Sequence, residues 1–151
     1  MKKILVPVDF SEYSEYALQA AAMIAKKLNA EIMVLHMLGL SEAILTKDES
    51  QEVAEAMYYM KLAEKRFETF LDKDYLKGIK VSETVQNYKI FREINQLAIE
   101  QEVDLIVMGS HGVSGLHEEV FIGSNSETVV RTSSFPVFVV NNPTEKFGIK
   151  D

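Results

Sequence analysis

The 151-residue sequence has no cysteine and only three prolines and seven glycines. Without cysteine, disulfides, thiol nucleophiles and cysteine-ligated metals are excluded, and a reducing compartment is the expected setting. An excess of basic charge is also missing, because 16 basic residues stand against 23 acidic ones and the net charge is −7. A broad nucleic-acid surface is therefore not expected, since such surfaces depend on basic contacts to phosphates.

Long apolar runs are absent as well. No stretch approaches the ~20 residues that span a bilayer, so no membrane contact is expected. The apolar run after Met1-Lys2-Lys3 stops at Asp9, which is too short for the core of a signal peptide. Length and a hydrophobic content of 47% predict one cytoplasmic globular domain over residues 1–145, followed by a tail over 146–151.

Five short apolar runs alternate with helix-like segments. The strand candidates are residues 4–8, 32–35, 79–85, 105–108 and 137–140. Helices are predicted from a Ser11 N-cap onward, over about residues 51–71 and 91–101, and from Ser124. The second of these helices is expected to bury one side, made of Val53, Met57, Met60, Ala63, Phe67 and Phe70. The pattern predicts an α/β fold, a doubly wound five-stranded parallel sheet with helices on both faces, in which the alternating third run is an edge strand.

Four of the seven glycines fall within residues 109–124, between the fourth apolar run and the capping-box pattern Ser124-Asn125-Ser126-Glu127. In open parallel sheets, ligands bind beyond the carboxyl ends of the strands where the strand order reverses. A helix N-terminus there offers unpaired N–H groups to an anion such as phosphate. We expect this glycine-rich segment and Asp9 to share one rim. Simpler roles stay open: the glycines as turns, and Ser124 and Asp9 as helix caps.

Common catalytic motifs are missing from this rim. No lysine lies between Gly109 and Ser124, so the segment is not the P-loop of the common NTPases, and it lacks G-x-G-x-x-G. No serine has an evident base and orienting acid, so no catalytic residue is assigned. His111 and His117 are not predicted to hold a metal, and His36 is expected to be a structural side chain at the sheet rim. Without a lysine or an evident water-activating residue beside a bound phosphate, any hydrolysis there should be slow.

The chain resembles the universal stress protein family, single-domain and of the ATP-binding class, over nearly its whole length. The motifs that carry the resemblance are KILVPVDFS at 3–11, VLHM at 34–37, VDLIVMGSHG at 103–112, Gly123-Ser124, and FPVFVV at 135–140. The resemblance implies the strand order 3-2-1-4-5. It also implies that phosphates lie at Gly109, Gly112, Gly123 and Ser124, with Ser126 near the outer ones. Adenine and ribose would be flanked by Pro7, Val8, Asp9 and Met37, with Met108 as a pocket wall.

The family likeness implies a stress-response regulatory protein that binds ATP (or ADP or AMP), with magnesium, and acts on a protein partner that the sequence does not identify. Two departures stand out. Ten residues separate Gly112 from Gly123 where the family has nine, and Gln86-Asn87-Tyr88 replaces Gly-x-Pro after the third strand. Two alternatives therefore stay open: a dimeric interaction protein of the same fold that binds no nucleotide, and a slow ATPase.

The last predicted strand, which begins at Pro136 and ends at Val140, is apolar on both faces although it lies at an edge of the predicted sheet. Exposed apolar edges pair readily with other chains. Two-fold antiparallel pairing of this strand with its copy would give a homodimer, which the family likeness also implies. The alternative is that residues 141–151 cover the edge within one chain.

Overall fold

The computed structural model describes residues 2–37, 49–86, 91–110 and 129–141. Strands and helices alternate along the chain as the apolar runs predict. The elements are β1 (Lys3–Val8), α1 (Glu12–Leu28), β2 (Glu31–Met37), α2 (Glu49–Phe70), β3 (Val81–Gln86), α3 (Phe91–Glu100), β4 (Leu105–Gly109) and β5 (Val137–Val140). A 3₁₀ turn, Asp74–Leu76, precedes β3, and residues 129–132 are helical.

All five strands form one parallel sheet in the order β3-β2-β1-β4-β5. This confirms the predicted order 3-2-1-4-5 and the edge position of β3. Strand β1 is central and pairs with β2 from Lys3↔Glu31 to Val8↔His36. Because β2 and β4 lie on opposite sides of β1, the direction in which successive strands are added reverses between β1 and β4.

Two apolar clusters cover the two faces of the sheet. Ile4 and Val6 of β1 lie in the cluster with α1 and α2, whereas Leu5 lies in the cluster with α3. This alternation follows from the period-two geometry of a strand, and it explains why residues 4–8 of β1 are all apolar. Helices therefore pack on both faces, as predicted. On the first face, α1 presents mostly alanines to the sheet: Ala17, Ala21, Ala22 and Ala25.

Helix α1 begins as the sequence predicts. The Ser11 side chain is the N-cap and accepts a hydrogen bond from the Ser14 N–H at 3.2 Å. Glu12 and Glu15 occupy the first turn, where negative charge favours the helix dipole. Asn29 closes the helix in the left-handed region, with φ of 53°. These local interactions fix where α1 starts and ends.

The predicted buried side of α2 is partly wrong. Ala63, Phe67 and Phe70 are buried, but Met57 is 53% exposed and Met60 is 36% exposed. At 1.5 Å per residue, the 22-residue helix is about 33 Å long. The six residues of β3 extend only about 20 Å, and the described side chains of residues 54–60, in the N-terminal half of α2, are exposed or only partly buried. The side chain of Val53 lies outside the described residues.

Element boundaries also differ from the prediction by one or two residues. Strand β3 begins at Val81 instead of residue 79, because the Ile79 N–H donates to the Leu76 carbonyl in the preceding turn. Helix α3 ends at Glu100, and Glu102 turns the chain with φ of 54°. In the part of the chain described, no helix is long and apolar enough to cross a membrane.

Candidate functional site

The switch point of the sheet lies between the carboxyl ends of β1 and β4. The β1–β4 register covers Ile4↔Leu105 and Leu5↔Ile106, whereas the β1–β2 register continues to Val8↔His36. Pro7 has no N–H to donate to a ladder, and it lies two residues after Leu5, the last residue in the β1–β4 register. The β1–β4 register thus ends before the two strands do, and the residues that follow these strands lie at the switch point, where ligands bind in sheets of this kind.

Asp9 ends β1 in a compact hydrogen-bonded turn. Its Oδ1 accepts the Ser11 N–H at 3.0 Å and the Ser14 hydroxyl at 2.6 Å. Its own N–H donates to Ser14 Oγ at 2.8 Å. Ser14 is 4% exposed, so this polar group is buried and satisfied by Asp9. The carboxylate therefore helps to hold the start of α1 in place beside the Ser11 cap, and its predicted contact to a nucleotide stays a prediction.

Phe10 takes an unusual backbone conformation at this turn. Its φ is 66°, a region that L-residues with large side chains rarely occupy. The ring packs against His36, Phe67 and Phe70, with centroid distances of 4.6, 5.0 and 5.4 Å. The guanidinium carbon of Arg66 lies 4.7 Å from the ring centroid. The sequence analysis assigned no role to Phe10. A bulky residue between Asp9 and the Ser11 cap was the feature of the sequence that could have indicated one.

His36 joins the ends of β2 and β1. Its Nδ1 lies 2.9 Å from the Val8 carbonyl oxygen and donates to it. Burial of the ring lowers the pKa of His36 below its ordinary value of 6.5; the hydrogen bond to Val8 opposes this effect, and the charge of Arg66 adds to it. The neutral imidazole is thus the favoured form, consistent with the structural role expected for His36 at the rim.

Gly109 ends β4 directly below the first turn of α1. A Cβ at this position would meet the Tyr13 carbonyl oxygen at 2.8 Å and the Tyr13 carbonyl carbon at 3.0 Å. Real Cβ atoms do not approach so closely, so only glycine fits. The Ser110 N–H donates to the Val140 carbonyl at 2.9 Å and extends the ladder toward β5. A packing requirement thus accounts for a glycine at position 109. Its predicted phosphate contact stays a prediction.

The two methionines assigned to the pocket lie on the face covered by α3. Met108 is buried in the second apolar cluster, and Met37 packs against the same cluster. The described rim therefore brings together the carboxyl ends of β1, β2 and β4, which carry Pro7, Val8, Asp9, Met37, Met108 and Gly109. The other assigned positions lie outside the described residues: Gly112, Gly123, Ser124 and Ser126. His111, His117 and the predicted start of the fourth helix also lie there.

Among the described residues, no group of three or more histidine, aspartate or glutamate side chains could hold a metal ion. The fold and the rim together define a doubly wound α/β domain, a class in which ligands bind at the switch point. Comparison with known proteins makes the class specific. The profile of the universal stress protein family matches residues 1–141, and the chain belongs to that family.

Relatives of known sequence and structure agree with this assignment. The universal stress protein YxiE of Bacillus subtilis is 34% identical over 146 residues, which cover 91% of this chain and 97% of that protein. The structure of hypothetical protein MJ0577 superimposes with a TM-score of 0.77 at 32% identity, covering 93% of this chain and 96% of that one; MJ0577 is a universal stress protein of Methanocaldococcus jannaschii. A universal stress protein from Archaeoglobus fulgidus, solved in complex with dAMP, shares the fold with a TM-score of 0.57 at 20% identity, covering 92% of this chain and 97% of that one.

Proposed function

We propose that this protein binds an adenine nucleotide (ATP, or ADP or AMP, with magnesium) and acts as a homodimeric regulator in the stress response. The observation that carries the proposal is the switch point of the sheet, where the β1–β4 register ends at Leu5↔Ile106, Asp9 follows β1 and Gly109 ends β4. Nucleotides bind at this place in doubly wound sheets. The dAMP complex of a protein with the same fold adds support for adenine as the base.

The phosphate end of the proposed site depends on the glycine-rich segment that follows Gly109. Backbone without Cβ atoms allows close approach to an anion, and the helix that is predicted from Ser124 would present its N–H groups to phosphate. Asp9 would accept hydrogen bonds from the ribose, and Met37 and Met108 would contact the base. The bound anion would be a polyphosphate neutralised by magnesium, which also offsets the charge of Glu118 and Glu119.

Calorimetric titration with ATP, ADP and AMP tests this proposal. With magnesium present, we expect saturable ATP binding with a Kd on the order of micromolar. Gly123→Val should weaken binding at least about tenfold, because a β-branched side chain would occupy the space of a phosphate. Gly115→Val is the matched control: it makes the same change in the same segment, outside the family pattern, and should leave the Kd within about twofold.

No heat and no thermal shift with any of the three nucleotides would reject nucleotide binding and leave the dimeric interaction protein as the function. The ten residues between Gly112 and Gly123 are the feature that favours this second candidate. Turnover of ATP above about one per minute, abolished by Asp9→Asn and by Ser124→Ala, would instead establish the slow ATPase.

The proposed dimer uses β5, which among the described residues pairs with β4 alone. Phe138 is 51% exposed and Val139 is 39% exposed, so the edge is apolar where solvent-facing edges normally carry charge. Sedimentation analysis of Phe138→Lys should show a monomer where the wild type sediments as a dimer. Met57→Lys, at an equally exposed methionine of α2, is the control, and a wild-type monomer would refute the dimer.

A further inference from the structure

A cleft of about 540 Å³ lies between the start of α1 and the second half of α2. It is on the face of the sheet that these two helices cover, and its lining includes none of the described rim positions assigned to a nucleotide, which are Pro7, Val8, Asp9, Met37, Met108 and Gly109. Its volume is in the range of clefts that bind small molecules. The cleft is thus a second candidate site, separate from the switch point.

Positive charge exceeds negative charge in this cleft. The ionisable side chains that line it are Lys65, Arg66, Lys73, Glu12 and Glu15. Lys73 is paired with Glu15 at 3.2 Å, and Glu12 accepts the Tyr16 hydroxyl at 2.8 Å. Within the described ranges, Lys65 and Arg66 have no ion pair or hydrogen bond. With Glu12 still charged, the lining has three cations and two carboxylates, and this local positive excess on a chain with a net charge of −7 favours an anionic ligand.

The arginine is held over an aromatic ring. The guanidinium carbon of Arg66 lies 4.7 Å from the Phe10 ring centroid, within the range of a cation–π contact. Phe10 reaches this position with φ of 66°, and packing against Phe67 and Phe70 maintains it. Backbone strain of this kind is concentrated at binding sites, where the surrounding packing holds it. The strained residue here lines the cleft.

We propose that the α1–α2 cleft binds a small organic anion with a flat apolar body. Arg66 and Lys65 would hold its phosphate or carboxylate through charge-assisted hydrogen bonds, for which the planar guanidinium is well suited. Phe10, Phe70 and Leu62 line the same cleft and would contact the apolar body. An inorganic anion would not contact the apolar lining, and a neutral aromatic compound would not pair with Arg66 and Lys65.

Phenyl phosphate is the probe for this site. Titrated into the full-length protein, it should shift the amide resonances of residues 10–15 and 62–73, with and without ATP and magnesium present. Benzyl alcohol and inorganic phosphate should each bind at least about tenfold more weakly. Arg66→Gln and Lys65→Gln should each weaken phenyl phosphate about tenfold, and Arg66→Lys should recover part of the loss.

Lys61→Gln is the matched control, because Lys61 lies one turn earlier on the same helix and is outside the cleft lining. It should leave phenyl phosphate binding unchanged. If Gly123→Val abolishes binding and Arg66→Gln does not, the probe occupies the glycine-rich segment and the proposal is wrong. Absence of saturable binding also overturns it. Because the probe is tested with and without ATP, either result is independent of whether the protein binds a nucleotide.

Discussion

Replacing Gly109 with alanine tests the packing of α1 against the end of β4. The added Cβ would lie 2.8 Å from the Tyr13 carbonyl oxygen, 3.0 Å from its carbonyl carbon and 3.1 Å from its Cβ. Two of these atoms belong to the backbone of α1 in its first turn, so no side-chain rotation relieves the contact. The variant must therefore displace the N-terminal end of α1 or the end of β4.

The expected destabilisation follows from two opposing effects. Overpacking of a tight site costs about 1–3 kcal/mol, whereas replacing glycine restricts the unfolded chain and returns about 0.4–1 kcal/mol. The net loss should be about 1–2 kcal/mol. In a domain of this size, each kcal/mol lowers Tm by about 2–4 °C, so Gly109→Ala should melt about 2–8 °C below the wild type.

Thermal and urea unfolding without nucleotide measure this loss apart from any phosphate contact. Gly78 provides a contrasting control, because its backbone is left-handed, with φ of 86°, and a Cβ there would meet nothing within 4 Å. Asparagine tolerates this left-handed conformation better than alanine does, so Gly78→Asn should be more stable than Gly78→Ala. At Gly109 the larger asparagine should be worse than alanine. An unchanged Tm for Gly109→Ala, or the same ranking at both glycines, would refute the steric explanation.

Three further predictions concern the buried groups near the rim. Because the pKa of His36 is lowered in the folded protein, the unfolded chain takes up a proton first as pH falls. The stability that His36 contributes is therefore fully present above about pH 6.5 and declines below it. Urea unfolding at about pH 7.5 and about pH 5.5 should show a larger loss of stability for the wild type than for His36→Gln. Ser14→Ala should cost about 1–3 kcal/mol in urea unfolding, because the Asp9 N–H loses its acceptor. Phe67→Ala should cost about 3–5 kcal/mol by the same assay, since the ring is fully buried.

The results that would contradict these predictions are specific to each site. Equal acid sensitivity of the wild type and His36→Gln would mean that His36 does not contribute to the pH dependence of stability. For Ser14 the control is Ser82→Ala, at an exposed serine that should change stability by less than about 0.5 kcal/mol; equal effects would mean that the Asp9 turn contributes nothing. Thr69→Ala is the exposed control for Phe67 on the same helix.

The candidate site was predictable in part. The carboxyl ends of β1, β2 and β4 share one rim, as strand order implies, and Asp9, Met37 and Gly109 are therefore on the elements that the motifs indicated. The hydrogen bonds from Ser14 to Asp9 and from His36 to Val8 were not predicted. Hydroxyl and imidazole side chains bond in many ways, and only the course of the backbone brings these partners together.

The buried side of α2 shows what helical periodicity could not predict. Its apolar spacing correctly indicated a helix, and it identified Ala63, Phe67 and Phe70 as core. The same spacing included Met57 and Met60, which are exposed. Periodicity reports which residues share a helix face, and it contains no information about how far that face is covered by the sheet.

The alternation of apolar runs and amphipathic segments was enough by itself to determine the parallel α/β architecture, since strand and helix periods are local properties of the chain. The Ser11 cap and the edge position of β3 were likewise readable from a few neighbouring residues. Tertiary structure alone decided that a Cβ at Gly109 would clash with the Tyr13 backbone, that Phe10 takes a left-handed conformation with Arg66 over its ring, and that Met57 and Met60 of α2 are exposed. Each of these depends on atoms far apart in sequence, whose distances arise only when helices and strands pack together.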